Sequence, residues 1–546
     1  MSGIVAERGE RLQATPVEHR SEHVLEPGTP EYDRGQFLRR RVITVDPHIC
    51  IERARLVTES YRETENEPVL IRRARAFDRI LRGISVYILD RELIVGHQAG
   101  TQRSAPLFPE FAVEWIDREI DTFETRGQDR FIVPEEVRRE FREEILPYWR
   151  GRTLTDHLMA HLSEEIRLQR FVATVFSVGL HEDGGLGHVA LDYRKVLTRG
   201  LEGIKEEIRE RMDRLVLWKP EDYRKKLFYE SALMMCESAI AFAGRYASKA
   251  REMAAAEPDP ARREELESIA AVCDRVPRHP ARGFHEALQS FWFVQLLPQI
   301  YDNGVSISPG RFDQYLYPYY AGDLASGRLT REQAQELLEA CWVKFTEPIK
   351  VYCAADAAFH AGYPMGQNLC VGGVAPDGLD AVNDLTYRCL ESHSHMLLMQ
   401  PNFSARMHQG SPHEYLMAVC ESIKLGNGMP QITNDEVFVT ALTGIGVPIE
   451  EAREYVPVGC VENAPVNTWG RSNGGYINLT KILELALNDG VCRITGEQVG
   501  PRTGDPRAFT GFDQVVDAYR DQMRHSVRTL ATWDNLIDMI HAQLMP

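Results

Sequence analysis

Paired-cysteine spacing is what this 546-residue chain most plainly lacks. Ten cysteines are scattered at 50, 236, 273, 341, 353, 370, 389, 420, 460 and 492, with no CxxC and no Cys/His run of zinc-finger or iron–sulfur spacing. That excludes a disulfide framework or a sequence-local metal knot, so no metal site is expected, and it points to a reducing, cytoplasmic setting with mostly buried thiols. The opening is equally unlike a leader, because residues 1–40 are polar and charged. No apolar run is long enough to span a membrane. Positive charge is in the minority, 63 Lys and Arg against 80 Asp and Glu, for a net charge of −17. A field of that sign repels phosphate and argues against nucleic acid or an anionic membrane as a partner. Short-period repeats are absent, which excludes a solenoid. What remains is a soluble, globular balance of 43% hydrophobic and 26% charged residues.

Residues 1–38 carry many Arg, Glu, Pro and Gly without apolar periodicity, which predicts a mobile or surface-wrapping arm ahead of a main domain over 39–546. Residues 84–96 are apolar enough for a strand or a buried turn. Residues 110–170 and 198–280 read as helical, the second region broken near Glu257-Pro-Asp-Pro-Ala261. The run Phe284–Leu297 is apolar on most sides and marks a core helix. From Phe359 onward one pattern recurs: helix, Gly-rich loop, short apolar strand. Strands are expected at Leu369–Val371, within Met396–Arg406, and after Gly426. Strands apolar on both faces, alternating with helices, fit an α/β barrel wrapped by helices.

Two Gly-rich turns carry candidate functional residues. Gly184-Gly-Leu-Gly-His188 leads into Asp192, four residues on, a spacing that puts both side chains on one helix face. Asp302-Asn-Gly-Val-Ser306 is the second. The chain is organised, however, around Val456-Pro-Val-Gly-Cys-Val-Glu462. There a short strand ends in Gly, a single Cys follows, and a carboxylate comes two residues later. A Gly/Asn/Ser-rich loop continues to Gly475, and Asn478 caps a helix that Gly490 stops. A Cys–Val–Glu tip admits four chemistries. It is a nucleophile, although Glu462 raises the thiol pKa and so disfavours thiolate. It is a metal ligand, although the loop has too few soft donors. It is a structural thiol. Or it is a hydrogen-atom donor, in which a neutral thiol and an adjacent proton carrier are both used.

Several stretches in order resemble the glycyl radical enzymes, the pyruvate formate-lyase-like superfamily. They are Glu92-Leu-Ile-Val-Gly96, Gly187-His188, Asp192 to Leu197, Ser308-Pro-Gly-Arg-Phe-Asp-Gln314, Gly362 to Leu369, Gly459-Cys-Val-Glu462 and Asn478 to Gly490. The similarity runs from about residue 40 to the end. It implies a helix-rich α/β fold, a ten-stranded β/α barrel of two five-stranded halves with the cysteine loop near 456–475 threaded into its centre. It implies Cys460 as thiyl carrier and Glu462 as its acid/base. No bound cofactor is implied; the radical resides on a glycine and is installed by a radical SAM activating enzyme. A homodimer is also implied.

Pyruvate formate-lyases carry two adjacent cysteines where this chain has Cys460-Val461, so acetyl transfer is not expected. The Cys–Val–Glu form is similar to the lyases and dehydratases that break C–O, C–N or C–S bonds in small hydroxylated substrates, and to the arylacetate decarboxylases. By the same resemblance His188 and Ser306 hold substrate hydroxyls. Asp192 is a candidate contact to a hydroxyl or amine, Arg471 is either a contact to a carboxylate or sulfonate or a structural residue, and Asn473 is a further candidate substrate contact. Val305 stands where diol dehydratases have His, and Asn467-Thr-Trp-Gly-Arg-Ser-Asn473 replaces their Trp–His–Asp segment, which argues against glycerol or propanediol. The family's Arg–Val–x–Gly–Tyr-like radical segment does not occur in these 546 residues. The chain is therefore expected to be a fragment, one half of an enzyme completed by a separate glycyl radical subunit, or a non-catalytic paralogue.

Overall fold

The computed structural model describes residues 24–468 and 474–545. Among these residues helices dominate, and twelve short strands are inserted between them. They are β1 (His48–Cys50), β2 (Ser104–Pro106), β3 (Phe176–Ser177), β4 (Val189–Ala190), β5 (Ile307–Ser308), β6 (Gly310–Arg311), β7 (Asn368–Gly372), β8 (Asn402–Met407), β9 (Gln431–Asn434), β10 (Val456–Val458), β11 (Glu462–Ala464) and β12 (Tyr476–Ile477).

The central feature is a parallel arc. β4 pairs with β5, Val189 opposite Ile307, and β6 pairs with β7, Gly310 opposite Leu369. Only Pro309, which has no N–H to give, separates β5 from β6. β7, β8 and β9 continue in parallel, with Asn368 opposite Asn402 and Ser404 opposite Gln431. Five parallel positions therefore line up among the described residues. The fold is α/β, helix-rich, with parallel sheets, as the sequence indicated. β7 is buried along its whole length, and this explains its run of apolar residues without alternation.

The core helix Phe284–Tyr301 buries Phe284, Ala287, Leu288, Phe291, Trp292, Leu296 and Ile300. A helix buried on this many sides has little amphipathic signal, which is why its sequence is apolar all round. It also supports residues 84–96. These form no strand; the segment turns outward at Asp90 and Arg91, which are exposed, and is buried from Glu92 to Gly96, where Gln289 supplies both ladder bonds from a side chain: Val95 N donates to Gln289 Oε1 (2.8 Å), and Gln289 Nε2 donates to Val95 O (2.7 Å).

The expected arm needs correction over its last part. Pro30–Thr44 is a helix, capped by Thr29 and burying Leu38 and Val42. Its entry is tied down by Glu391 Oε1, which accepts from the N–H groups of Val24 and Leu25. Residues 24–38 thus belong to the packed body. Their Arg-rich sequence concealed this, because the partner lies more than 350 residues away.

Behind the arc, Arg406 at the end of β8 is fully buried and pairs in a two-pronged contact with Asp435, Nε to Oδ1 and Nη2 to Oδ2, both 3.0 Å. Its remaining N–H groups donate to the carbonyls of Tyr455 and Arg453, each at 2.9 Å. The guanidinium lies 3.9 Å from the centre of the Tyr455 ring. One side chain therefore joins β8, the residue after β9 and the entry to β10. Arg406→Met would leave the Asp435 carboxylate buried without its cation, with only Val374 N and the Tyr455 hydroxyl, among the described residues, donating to it, so urea unfolding should show a loss of about 3–5 kcal/mol.

Candidate active site

β10 and β11 form an antiparallel hairpin in which Val458 opposes Glu462, so the loop is Gly459-Cys460-Val461 and Cys460 is its tip. The hairpin lies against the arc. Val456 and Val458 pack with Ala190 of β4 and Cys370 of β7 in one buried cluster, and a Cβ placed on Gly310 would come within 2.7 Å of the Val456 side chain. An apolar stem thus drives the loop into the sheet face and presents a polar tip at the amino ends of the parallel strands.

Gly459 is the point of convergence. Its φ is +61°, a conformation that side chains strain to adopt. A Cβ there would stand 2.9 Å from Ser306 Oγ, 3.1 Å from Glu462 Oε2 and 3.1 Å from His188 Cδ2. Four of the residues singled out from the sequence, Cys460, Glu462, His188 and Ser306, are therefore brought to one place. Glu462 folds back over the turn. Its Oε2 accepts from both Cys460 N and Val461 N at 3.0 Å, leaving Oε1 to face His188 Nε2 at 3.8 Å. The carboxylate is held by backbone donors on one oxygen and is available on the other. Cys460 is exposed at the tip. Crowding by the turn on one side, and then the Glu462 charge, push its thiol above the ordinary cysteine range. The sulfur therefore carries a hydrogen near neutrality.

The loops bearing His188 and Ser306 are locked to each other through backbone. His188 N donates to Val305 O (2.8 Å), Val189 N to Ser306 O (3.1 Å), and Ser306 N to Met365 O (2.8 Å). A Cβ on Gly304 would lie 2.3 Å from Gly187 N, so the two loops can approach this closely only without side chains there.

Two residues that the sequence reading did not single out complete the support. Ser308 Oγ accepts from Gly459 N (3.2 Å), and Asn368 Nδ2 donates to Gly459 O (3.3 Å) while its Oδ1 accepts from Ser404 Oγ (2.8 Å). Ser308 and Asn368 each lie on a parallel strand, whereas the sequence placed Ser308 in a Gly/Ser turn and Asn368 in the loop before Leu369–Val371. The signal available was a polar side chain in an apolar strand, which requires a buried partner.

Asp192 is not brought to this point, and the shared helix face is corrected. His188 precedes β4 in a left-handed conformation, φ +49°. Asp192 follows β4 and caps the helix Tyr193–Met212, its Oδ1 accepting from Lys195 N (3.0 Å). Three residues separate the two, among them the whole of β4, so they lie at opposite ends of that strand. Arg471 and Asn473 lie outside the described residues.

Two other clusters of ligand-type residues lie away from the tip. Glu92, His97 and Glu347 are buried around Lys344, whose Nζ is 3.0 Å from Glu92 and 2.5 Å from Glu347. An ammonium already stands where a metal would. Asp183, Cys353 and Asp356 line a cavity of about 530 Å³. Burial, with the charges of Asp356 and Glu182, pushes the Asp183 carboxyl up to about 8. The folded chain then keeps a proton that the unfolded chain releases above about pH 4. This contribution to stability is full at low pH and is lost as pH rises toward 8. Asp183→Asn has no such proton to lose. Its melting temperature should gain on the unmutated chain by at least ~2 °C between pH 5 and pH 8, read by differential scanning fluorimetry.

Comparison with known proteins places this geometry. Residues 29–546 match the family model described as pyruvate formate lyase-like. The chain is 35% identical over 520 residues to (2S)-3-sulfopropanediol dehydratase of Klebsiella oxytoca, covering 94% of this chain and 63% of that protein. It is 37% identical over 512 residues to isethionate sulfite-lyase of Oleidesulfovibrio alaskensis, covering 91% and 61%. Among solved structures, one concerned with 1,2-propanediol dehydration in Roseburia inulinivorans superposes with a TM-score of 0.93 at 39% identity, covering 97% of this chain and 65% of that one. The chain spans less than two thirds of the length of these relatives.

Proposed function

Because the chain belongs to the pyruvate formate lyase-like family, we propose that it is the cysteine-loop portion of a glycyl radical lyase or dehydratase cleaving a C–O or C–S bond in a small hydroxylated substrate. The observation that carries the reading is the meeting of Cys460, Glu462, His188 and Ser306 around Gly459.

A glycyl radical, installed by a radical SAM activase on the third of the relatives' length that this chain does not match, would supply the unpaired electron. The exposed tip and protonated thiol of Cys460 suit such a delivery. The residues of this chain then divide the work. Cys460 would first give its S–H hydrogen atom to that radical; its sulfur then takes a hydrogen atom from the substrate carbon, re-forming S–H as C–H breaks. His188 and Ser306 hold the substrate hydroxyls. Glu462 takes the proton of the hydroxyl on the radical carbon, and the neighbouring group leaves. A departing hydroxyl leaves as water once protonated, with His188 the nearest second proton carrier. The product radical recovers a hydrogen atom from the Cys460 S–H, which restores the sulfur for the next turn. Arg471 and Asn473 complete the proposed contacts, Arg471 toward an anionic group.

The outer strand β9 supports a chain that is completed by further polypeptide, because Ile432 on it is 57% exposed at the edge of the arc. The homodimer and the cytoplasmic location belong to the same proposal; sedimentation of the purified chain tests the former. Among the described residues no helix is long and apolar enough to cross a membrane.

The test is reconstitution. The chain is combined anaerobically with its activase and a polypeptide carrying the radical glycine, then offered propane-1,2-diol, glycerol, (2S)-3-sulfopropanediol, isethionate and trans-4-hydroxy-L-proline. Release of an aldehyde, a ketone, sulfite or a cyclic imine from one of them is expected. A glycyl radical signal without turnover of any of them contradicts the substrate class.

A further inference from the structure

The core helix Phe284–Tyr301 ends just before the Asp302–Ser306 loop, and its last carbonyls point into the protein. Arg53 takes two of them, Nε donating to Ile300 O (2.7 Å) and Nη2 to Tyr301 O (3.2 Å). That guanidinium has a carboxylate partner in Glu110, at 2.5 Å. The next carbonyls go to Lys350, whose Nζ donates to Asp302 O and, at 2.7 Å, to Gly304 O. Lys350 is 1% exposed, its Nζ lies 4.9 Å from the Phe108 ring centre, and among the described residues it makes no ion pair. An ammonium buried without a carboxylate is costly. Here it serves carbonyls of one loop.

That loop is the one both substrate contacts depend on. Its next carbonyl, Val305 O, accepts from His188 N, and Ser306 O accepts from Val189 N. Ser306 itself sits at φ +66°, a strained conformation that persists only when its surroundings hold it. The carbonyls thus divide along the loop, Asp302 and Gly304 toward Lys350, then Val305 and Ser306 toward the His188 loop.

We propose that Lys350 is the positioning residue of this site: its ammonium, by fixing the carbonyls of Asp302 and Gly304, sets Ser306 and His188 beside Gly459. The inference rests on the reading of His188 and Ser306 as substrate contacts. A flexible stem with three donors suits the task, since one nitrogen reaches two carbonyls two residues apart. Burial pushes Lys350 down to about 7, with Asp302 and Glu110 opposing and Arg53 adding to the fall; these are the charged groups that face it. The support it gives is therefore charge-assisted below neutrality and weaker above.

Hydrogen–deuterium exchange on the full chain tests this without substrate or radical. In Lys350→Met, peptides covering 186–190 and 303–307 should exchange at least tenfold faster than in the unmutated chain, while those covering 368–372 and 402–407 keep their rates. Because Asp183 titrates in the same range, the pH series is run on Asp183→Asn: after correction for intrinsic exchange, protection of the first two segments should fall between pH 6 and pH 8, and that fall should be absent in the Asp183→Asn, Lys350→Met double variant. If Lys350→Met does not fold, the pH series on Asp183→Asn decides alone. Equal protection of 186–190 and 303–307 in the variant, acceleration spread evenly over the core, or protection unchanged from pH 6 to pH 8 would each overturn the proposal. A chain that meets these expectations yet turns over none of the panel overturns the functional reading instead.

Discussion

Cys460→Ser, reconstituted with activase and radical-bearing polypeptide, should hold turnover at the uncatalysed background, a loss of at least ~10⁶-fold. The substitution changes one atom at the exposed tip of the β10–β11 hairpin and leaves the stem of Val456 and Val458 in place, so the loop should keep its shape. An O–H bond is too strong for its hydrogen to be passed back and forth with a carbon. The hydroxyl therefore blocks the first step and cannot be rescued by substrate concentration or pH. A nucleophilic or structural Cys460 predicts something else. Serine is a serviceable nucleophile when a base stands near, and a structural thiol at an exposed tip tolerates serine with little change. Steady-state rates and an intact glycyl radical signal, measured on the same preparation, separate these outcomes: radical present and turnover absent is the expected pair.

Glu462→Gln should lower kcat by roughly 10²–10⁴-fold, the usual worth of a positioned proton carrier, with KM nearly unchanged. The split follows from the geometry. Glu462 Oε2 accepts from Cys460 N and Val461 N, and a glutamine carbonyl oxygen takes the same two bonds, so the turn stays folded. In the proposed mechanism substrate binding rests on His188 and Ser306, and the substitution replaces neither. What is lost is the capacity of the second oxygen, 3.8 Å from His188 Nε2, to accept a proton as the substrate radical eliminates. An unchanged kcat would move that role to another group. A rise in KM with kcat intact would make Glu462 a binding residue only.

Much of this architecture was legible in the residues, and what was not has common physical causes. The helix from Leu479 announced itself by Asn478, which does accept from Lys481 N (3.0 Å) as its cap. The buried strand β7 was visible as the short apolar run Leu369–Val371 ahead of Gly372 and Gly373. These are local signals, set by capping and by burial on both faces. His188 and Asp192 were misjudged because spacing of four reads as helix. The backbone at 187–188 instead takes left-handed angles to meet Val305 and Ser306, a constraint more than a hundred residues away. The helix Pro30–Thr44 was missed for a similar reason: three consecutive arginines, 39–41, mask the two buried positions Leu38 and Val42. Cys460 and Glu462 could be paired from sequence because only Val461 separates them. Ser308 and Asn368 could not, since nothing local says that a strand serine will hold the N–H of Gly459. Parallel arcs place residues distant in the chain side by side, and each such contact is invisible until the register is known.

The most direct test of Cys460 as a hydrogen shuttle follows a label. The substrate identified from the panel is deuterated at the carbon that loses hydrogen and supplied to the reconstituted enzyme, and the product is analysed by mass spectrometry and NMR. Deuterium from that carbon should appear at the carbon from which the group departed, with washout only as far as the Cys460 thiol exchanges with water between abstraction and return, and no labelled product should form with Cys460→Ala. Product formed by Cys460→Ala at the unmutated rate, or label that stays on its original carbon, would contradict the account.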